Sequence, residues 1–117
     1  MRTSELTGAA LDWAVAKCEG KAQGHPPLGE RRDLAEGITP YGVKAAMHYS
    51  TNWAQGGPII EREGICLWSE GYDWEAKMQA SSGKWLEVWG STPLIAAMRC
   101  YVASKLGDEV EIPEELK

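Results

Sequence analysis

The chain has 117 residues, of which 44% are hydrophobic and 25% charged, with a formal net charge of −5. That length and balance suit one globular domain over residues 1–117 with a small core. They offer no run of about 18 apolar residues for a membrane span, no apolar leader segment before Asp12, and no basic face for a nucleic-acid backbone.

In chain order, Arg2 to Glu5 reads as a short strand. Leu6 onward reads as a helix start. With Thr7 as N-cap, Leu6 and Leu11 stand at hydrophobic-staple spacing. Leu11, Ala14, Val15 and Cys18 then share one helical face, and Gly20 suits a left-handed cap. Asp12 and Trp13 lie off that stripe. Trp13 either reaches a pocket or belongs to a helix packed on two sides. Residues 21–39 mix glycine, proline and charge with few apolar anchors and read as a long loop. Arg31 and Arg32 in it are either cations for a ligand or plain surface charge. Pro40 to Tyr49 reads as a turn or two of helix. His48 in it is either a pocket residue or a structural hydrogen-bonder.

Ser50 to Glu63, STNWAQGGPIIERE, is the most unusual stretch. Asn52 and Gln55 carry amides that donate and accept, and Trp53 is a large ring with one N–H. Gly56 and Gly57 permit special backbone conformations. Pro58 suits the first position of a helix that Gly64 ends. The expectation is a shaped loop that presents polar groups beside an aromatic plate, with Gly56 and Gly57 near a helix N-terminus able to meet an anion or a carbonyl oxygen. A rigid loop whose Trp53 plugs the core fits the same residues.

Gly64 to Gly90 reads as β. Ile65 to Trp68 is a short apolar strand. Trp74, Ala76 and Met78 alternate with Glu75 and Lys77. Lys84 to Trp89 is a third strand, although Trp85, Leu86, Val88 and Trp89 cannot all share a face. The surplus tryptophan belongs to a pocket or a subunit contact. Thr92 and Pro93 then cap and start a helix to Leu106, closed by Gly107, with Ile95, Met98, Val102 and Leu106 as its buried stripe, widened by Leu94 and Tyr101. Arg99 points elsewhere, to solvent or to the Ser50–Glu63 stretch. Residues 108–117 form an acidic tail that adds an edge strand or covers the sheet edge. The fold class expected is α+β: a small antiparallel sheet of about three to five strands packed against an N-terminal and a C-terminal helix.

Three segments resemble the NinX-like family of small tailed-phage and prophage proteins: Leu6 to Glu19, Ser50 to Glu63 and Thr92 to Leu116. The family usually reads Ser-Thr-Asp-Trp where this chain has Ser50-Thr51-Asn52-Trp53. The resemblance implies a phage or prophage protein acting in the bacterial cytoplasm. It implies no mechanism.

No catalytic motif at a recognised spacing stands in the sequence, so an enzyme is not expected. Cys18, Cys66 and Cys100 and the two histidines, His25 and His48, lack paired ligand spacing, so neither a metal nor a cofactor is expected. The composition includes six Trp, four Tyr and no Phe. The favoured reading is a non-catalytic binder of a small nucleotide-like ligand, such as a host defence signal. Trp53 would stack on it, Asn52 and Gln55 would read its edge, and Gly56, Gly57, Arg62, Arg99 and His48 would complete the site. A homo-oligomer would deepen such a pocket. The alternative is a protein-interaction module acting on a host protein, with Trp and Tyr as anchors and the acidic tail steering a basic partner.

Overall fold

A computed structural model describes residues 1–20 and 47–116. The loop expected at 21–39, with Arg31 and Arg32, lies outside the described residues, as does most of the turn expected before Tyr49. The architecture is α+β. Helix α1 is Gly8–Cys18, α2 is Trp53–Glu63 and α3 is Pro93–Leu106. Strands β1 (Cys66–Glu70), β2 (Asp73–Gln79) and β3 (Trp85–Gly90) form an antiparallel sheet in the order β1-β2-β3. Among the described residues no helix is long and apolar enough to cross a membrane.

Helix α3 is the middle layer. It lies across the inner face of the sheet, while α1 and α2 pack on its opposite side. The Thr92 hydroxyl accepts from the Ile95 N–H at 3.1 Å and so caps the helix start. Gly107, at φ 84°, closes the other end. The stripe expected on α3 proves too narrow. Leu94, Ala96, Ala97, Met98, Cys100, Tyr101 and Val102 are all buried, whereas Ile95 and Leu106 are only half-buried. A helix covered from two sides needs apolar residues nearly all round.

The sheet resolves the third strand's mixed pattern. The register pairs Ala76 with Val88 and Met78 with Leu86, so Leu86 and Val88 face α3 while Trp85 and Trp89 face outward. Gly90 lets β3 end against the start of α3: a Cβ there would stand 2.6 Å from the Ala96 nitrogen.

Helix α1 follows its sequence signals. Leu6 and Leu11 are both fully buried, and Gly20, at φ 76°, follows the last turn. Asp12 and Trp13 are buried too, because α1 is packed on more than its apolar stripe. At the chain ends two expectations need correction. Thr3–Glu5 is a 3₁₀ turn, with Arg2 in a single bridge to Glu109. The tail adds no strand to the sheet. It packs along the N-terminus through hydrogen bonds between Met1 and Val110, burying Val110 and Ile112.

The Ser50–Glu63 stretch departs most from expectation. The helix begins at Trp53 rather than Pro58, because the Asn52 side chain accepts from the Ala54 N–H at 2.8 Å and caps it there. Gly56, Gly57 and Pro58 therefore lie inside α2. Pro58 removes one helical hydrogen bond, and two glycines weaken the helix further. Packing offsets these losses. A Cβ on Gly56 would stand 2.5 Å from the Tyr49 carbonyl oxygen and 2.6 Å from Leu94 Cδ2, so the bare backbone is what lets α2 seat against α3.

The three cysteines are free thiols. Burial pushes Cys18 up to about 11 and Cys100 up to about 12, while Cys66 is exposed on β1. A thiol reagent at neutral pH is expected to modify Cys66 first, the half-buried Cys18 more slowly and the buried Cys100 only on unfolding, which is read by mass spectrometry with and without denaturant.

The two helical glycines predict opposite outcomes. Gly56→Ala forces a clash with backbone and should lower stability by about 1–3 kcal/mol. A Cβ on Gly57 meets nothing closer than 3.9 Å, so Gly57→Ala should raise stability by about 0.4–1 kcal/mol. Urea unfolding midpoints of the two variants check both.

Candidate functional site

The turn from Met47 to Asn52 is built almost entirely by hydrogen bonds. The His48 carbonyl accepts from Thr51 N–H at 3.1 Å and Asn52 N–H at 2.7 Å. The His48 N–H donates to Gln55 Oε1 at 2.9 Å. Ser50 N–H donates to Asp12 Oδ1 at 2.8 Å, which ties the turn to α1. Asp12 is buried on α1, and burial holds its carboxyl above the usual 3.8, partly offset by Ser50 and by His48. The second Asp12 oxygen lies 4.0 Å from His48 Nδ1, so a protonated His48 adds a weak attraction.

Between this turn and the start of α1 is a cavity of about 240 Å³. Gly8, Ala9, Asp12 and Trp13 form one side, His48, Ser50 and Thr51 another, and Met47 and Leu116 supply further apolar wall. Two of these residues carry a buried polar atom without a hydrogen-bond partner among the described residues: Trp13 Nε1 and Ser50 Oγ. The residues themselves are 4% and 2% exposed. Buried polar groups are nearly always paired, so two such atoms on residues from two sides of one cavity are unusual. The start of α1 adds to this. Thr7 occupies its N-cap position but makes no side-chain cap, which leaves the first-turn N–H groups beside the cavity without one of their usual acceptors.

The residues expected to form a site are thus largely separated. Asn52 caps α2, Gln55 braces the turn and Gly56 is a packing contact. Gly57 lies mid-helix, so neither glycine offers the expected helix N-terminus. Trp53 is exposed but is not a wall of the cavity. Arg62 is bidentate to Glu19, at 3.1 and 2.7 Å, and also donates to Tyr101 Oη at 3.1 Å and to Glu63 at 2.8 Å. Tyr101 donates to the same Glu19 at 2.5 Å. That cluster joins the ends of α1 and α2 to α3 and holds the Arg62 guanidinium above its ordinary value, chiefly through Glu19. Arg99 sits elsewhere, donating to the carbonyls of Leu6 at 2.7 Å and Trp89 at 2.9 Å. Of the residues expected to hold the ligand, only His48 lines the cavity, together with Trp13, for which a pocket was one of the two readings. Asp12 and Ser50 were legible only as polar residues in otherwise apolar or turn-forming company. An acid amid Ala-Leu and Trp-Ala needs a buried partner, and that is the signal they carried.

Asp12 generates a pH prediction. The folded protein holds this proton more tightly than the unfolded chain, so Asp12 adds stability as pH falls from its raised folded value toward 3.8 and removes it as pH rises through the same window. Asp12→Asn keeps an acceptor for Ser50 N–H and should flatten that part of the stability–pH curve while folding normally. Asp12→Ala strands the N–H and should cost about 1–3 kcal/mol at neutral pH. Urea titrations of all three proteins across acidic pH read the difference.

The profile of the family described as Bacteriophage P22, NinX matches residues 2–105 of the chain. No curated protein matches it.

Proposed function

The chain belongs to the bacteriophage P22 NinX family, and from that premise we propose that it is a binding protein for a small flat polar ligand held between α1 and the Met47–Asn52 turn. The observation that carries the reading is the pair of buried atoms, Trp13 Nε1 and Ser50 Oγ, that have no hydrogen-bond partner among the described residues and whose residues line two sides of one cavity. Trp13 supplies a donor only, and Ser50 either donates or accepts. The first-turn N–H groups of α1, which the Thr7 side chain does not cap, favour an acceptor or an anionic group nearby. Ala9, Met47 and Leu116 offer apolar contact to a ring.

The volume bounds the ligand. At about 240 Å³, the cavity falls just below the usual range of about 300–1,000 Å³ for drug-sized ligands. A nucleobase or nucleoside fits that size, with any phosphate outside, toward the start of α1 and the half-exposed His48 ring. The reading is binding rather than turnover, because the Asp12 carboxylate is already engaged by Ser50 N–H. For a phage protein, such a site suits capture of a host nucleotide signal.

Native mass spectrometry and thermal unfolding with nucleobases, nucleosides and nucleoside monophosphates test the proposal. One class is expected to add a defined mass and, at a hundredfold excess over its dissociation constant, to stabilise the fold by about 2.7 kcal/mol. Ala9→Leu places a strong helix former at the cavity wall and should abolish both signals without lowering the unfolding midpoint. Absence of added mass and of stabilisation across the whole panel would sink the proposal.

A further inference from the structure

The outer face of the sheet carries a second feature, independent of the cavity. The register pairs Trp68 with Glu75 and Glu75 with Trp89, so the three stand in one cross-strand row. Side chains so paired are close neighbours, with Cβ atoms about 4.5–5.5 Å apart. Trp68 and Trp89 remain 37% and 47% exposed, yet Glu75 between them is only 6% exposed. Its carboxylate has no hydrogen bond and no ion pair among the described residues. The nearest cation on that face, Lys77, is already placed. Its ammonium lies 4.8 Å from the Trp68 ring centroid and 3.6 Å from Glu87 Oε1.

A carboxylate enclosed by two indoles is an unusual arrangement. Its oxygens keep solvent contact but gain no partner among the described residues, and indole faces carry negative charge density that favours cations and not anions. A cation seated between the rings satisfies both at once, through an ion pair with Glu75 and cation–π contact with Trp68 and Trp89. Lys77 already shows that the Trp68 ring accepts an ammonium group. We propose that Trp68, Glu75 and Trp89 form a binding site for an organic cation, a guanidinium or primary ammonium group. The surrounding charge agrees, since Glu70, Asp73 and Glu87 stand exposed on the same strands. A second copy of this face would set like charges against each other and does not suit the site.

The cation belongs either to a free small molecule or to an arginine or lysine of another chain, and the experiment separates these sources. Binding of N-acetyl-arginine amide and of a labelled peptide of alternating arginine and threonine is measured by calorimetry and fluorescence anisotropy, with N-acetyl-glutamine amide as the neutral control. Wild type should bind a cationic probe and not the neutral one. Glu75→Gln, which keeps the shape, and Trp89→Leu should each weaken binding by at least about tenfold, or about 1.4 kcal/mol, and added salt should weaken it further. Binding of the free amide as tight as that of the peptide assigns a small cation, and binding of the peptide alone assigns a protein segment. The unliganded Glu75→Gln protein should unfold at about the same urea concentration as wild type, because Glu75 makes no hydrogen bond or ion pair among the described residues that the amide would lose. A marked loss of stability would make Glu75 a structural residue and overturn the proposal. So would equal binding by wild type and Glu75→Gln, or failure of wild type to bind either cationic probe.

Discussion

The structure depends on the burial of α3 from two sides. Its side chains leave no broad polar face, so neither the sheet nor the other helices could serve it alone. Each fully buried large apolar side chain contributes roughly 1.5–3 kcal/mol, and α3 buries several of them between the layers. The close approach on both sides is made at glycines. Gly90 lets the end of β3 lie against Ala96, and Gly56 lets α2 lie against Leu94. Both contacts fall in the first turn of α3, where Thr92 and Pro93 have already set the helix start. The position of the whole middle layer follows from that turn.

Polar groups then fix the helices relative to one another. Glu19, Arg62 and Tyr101 close the ends of α1 and α2 over α3. Asp12 and Ser50 hold the other part of α1 to the Met47–Asn52 turn. The cavity lies beside this second connection. Its walls come mainly from two segments that meet through a hydrogen bond, with Leu116 of the tail as a third, and polar atoms of Trp13 and Ser50 are enclosed beside it. Among the candidate residues, Arg62 and Arg99 shape the fold by spending their donors on Glu19, Glu63 and backbone carbonyls. Among the described residues, Trp13 Nε1, Ser50 Oγ and the Glu75 carboxylate are left without partners, and the two proposed sites rest on them.

Local signals made much of the fold readable. The staple of Leu6 and Leu11, the Thr92-Pro93 start, the glycine stops and the period of two in β2 all act within a few residues, and each appears where it was expected. The start of α2 was misread for a physical reason. Gly56, Gly57 and Pro58 weaken a helix by their own propensities, so the stretch looked like a loop. The Asn52 cap and the seating of Gly56 on Tyr49 and Leu94 reverse that preference. The tail was misjudged similarly, since nothing local told Val110 and Ile112 to bury against the N-terminus and not the sheet.

By itself, then, the sequence determined the α+β class, the order of the elements, the three-stranded meander and most helix ends, because turn, cap and periodicity preferences act over short stretches of backbone. Only the tertiary structure decided which polar side chains are used up in holding the fold and which remain open. Asn52 and Gln55 find partners a few residues away and look the same in sequence as residues that read a ligand. Asp12 meets Ser50 across 38 positions, and Glu75 lies between two tryptophans on different strands. Those neighbours are set by packing and register, which no short window of sequence contains.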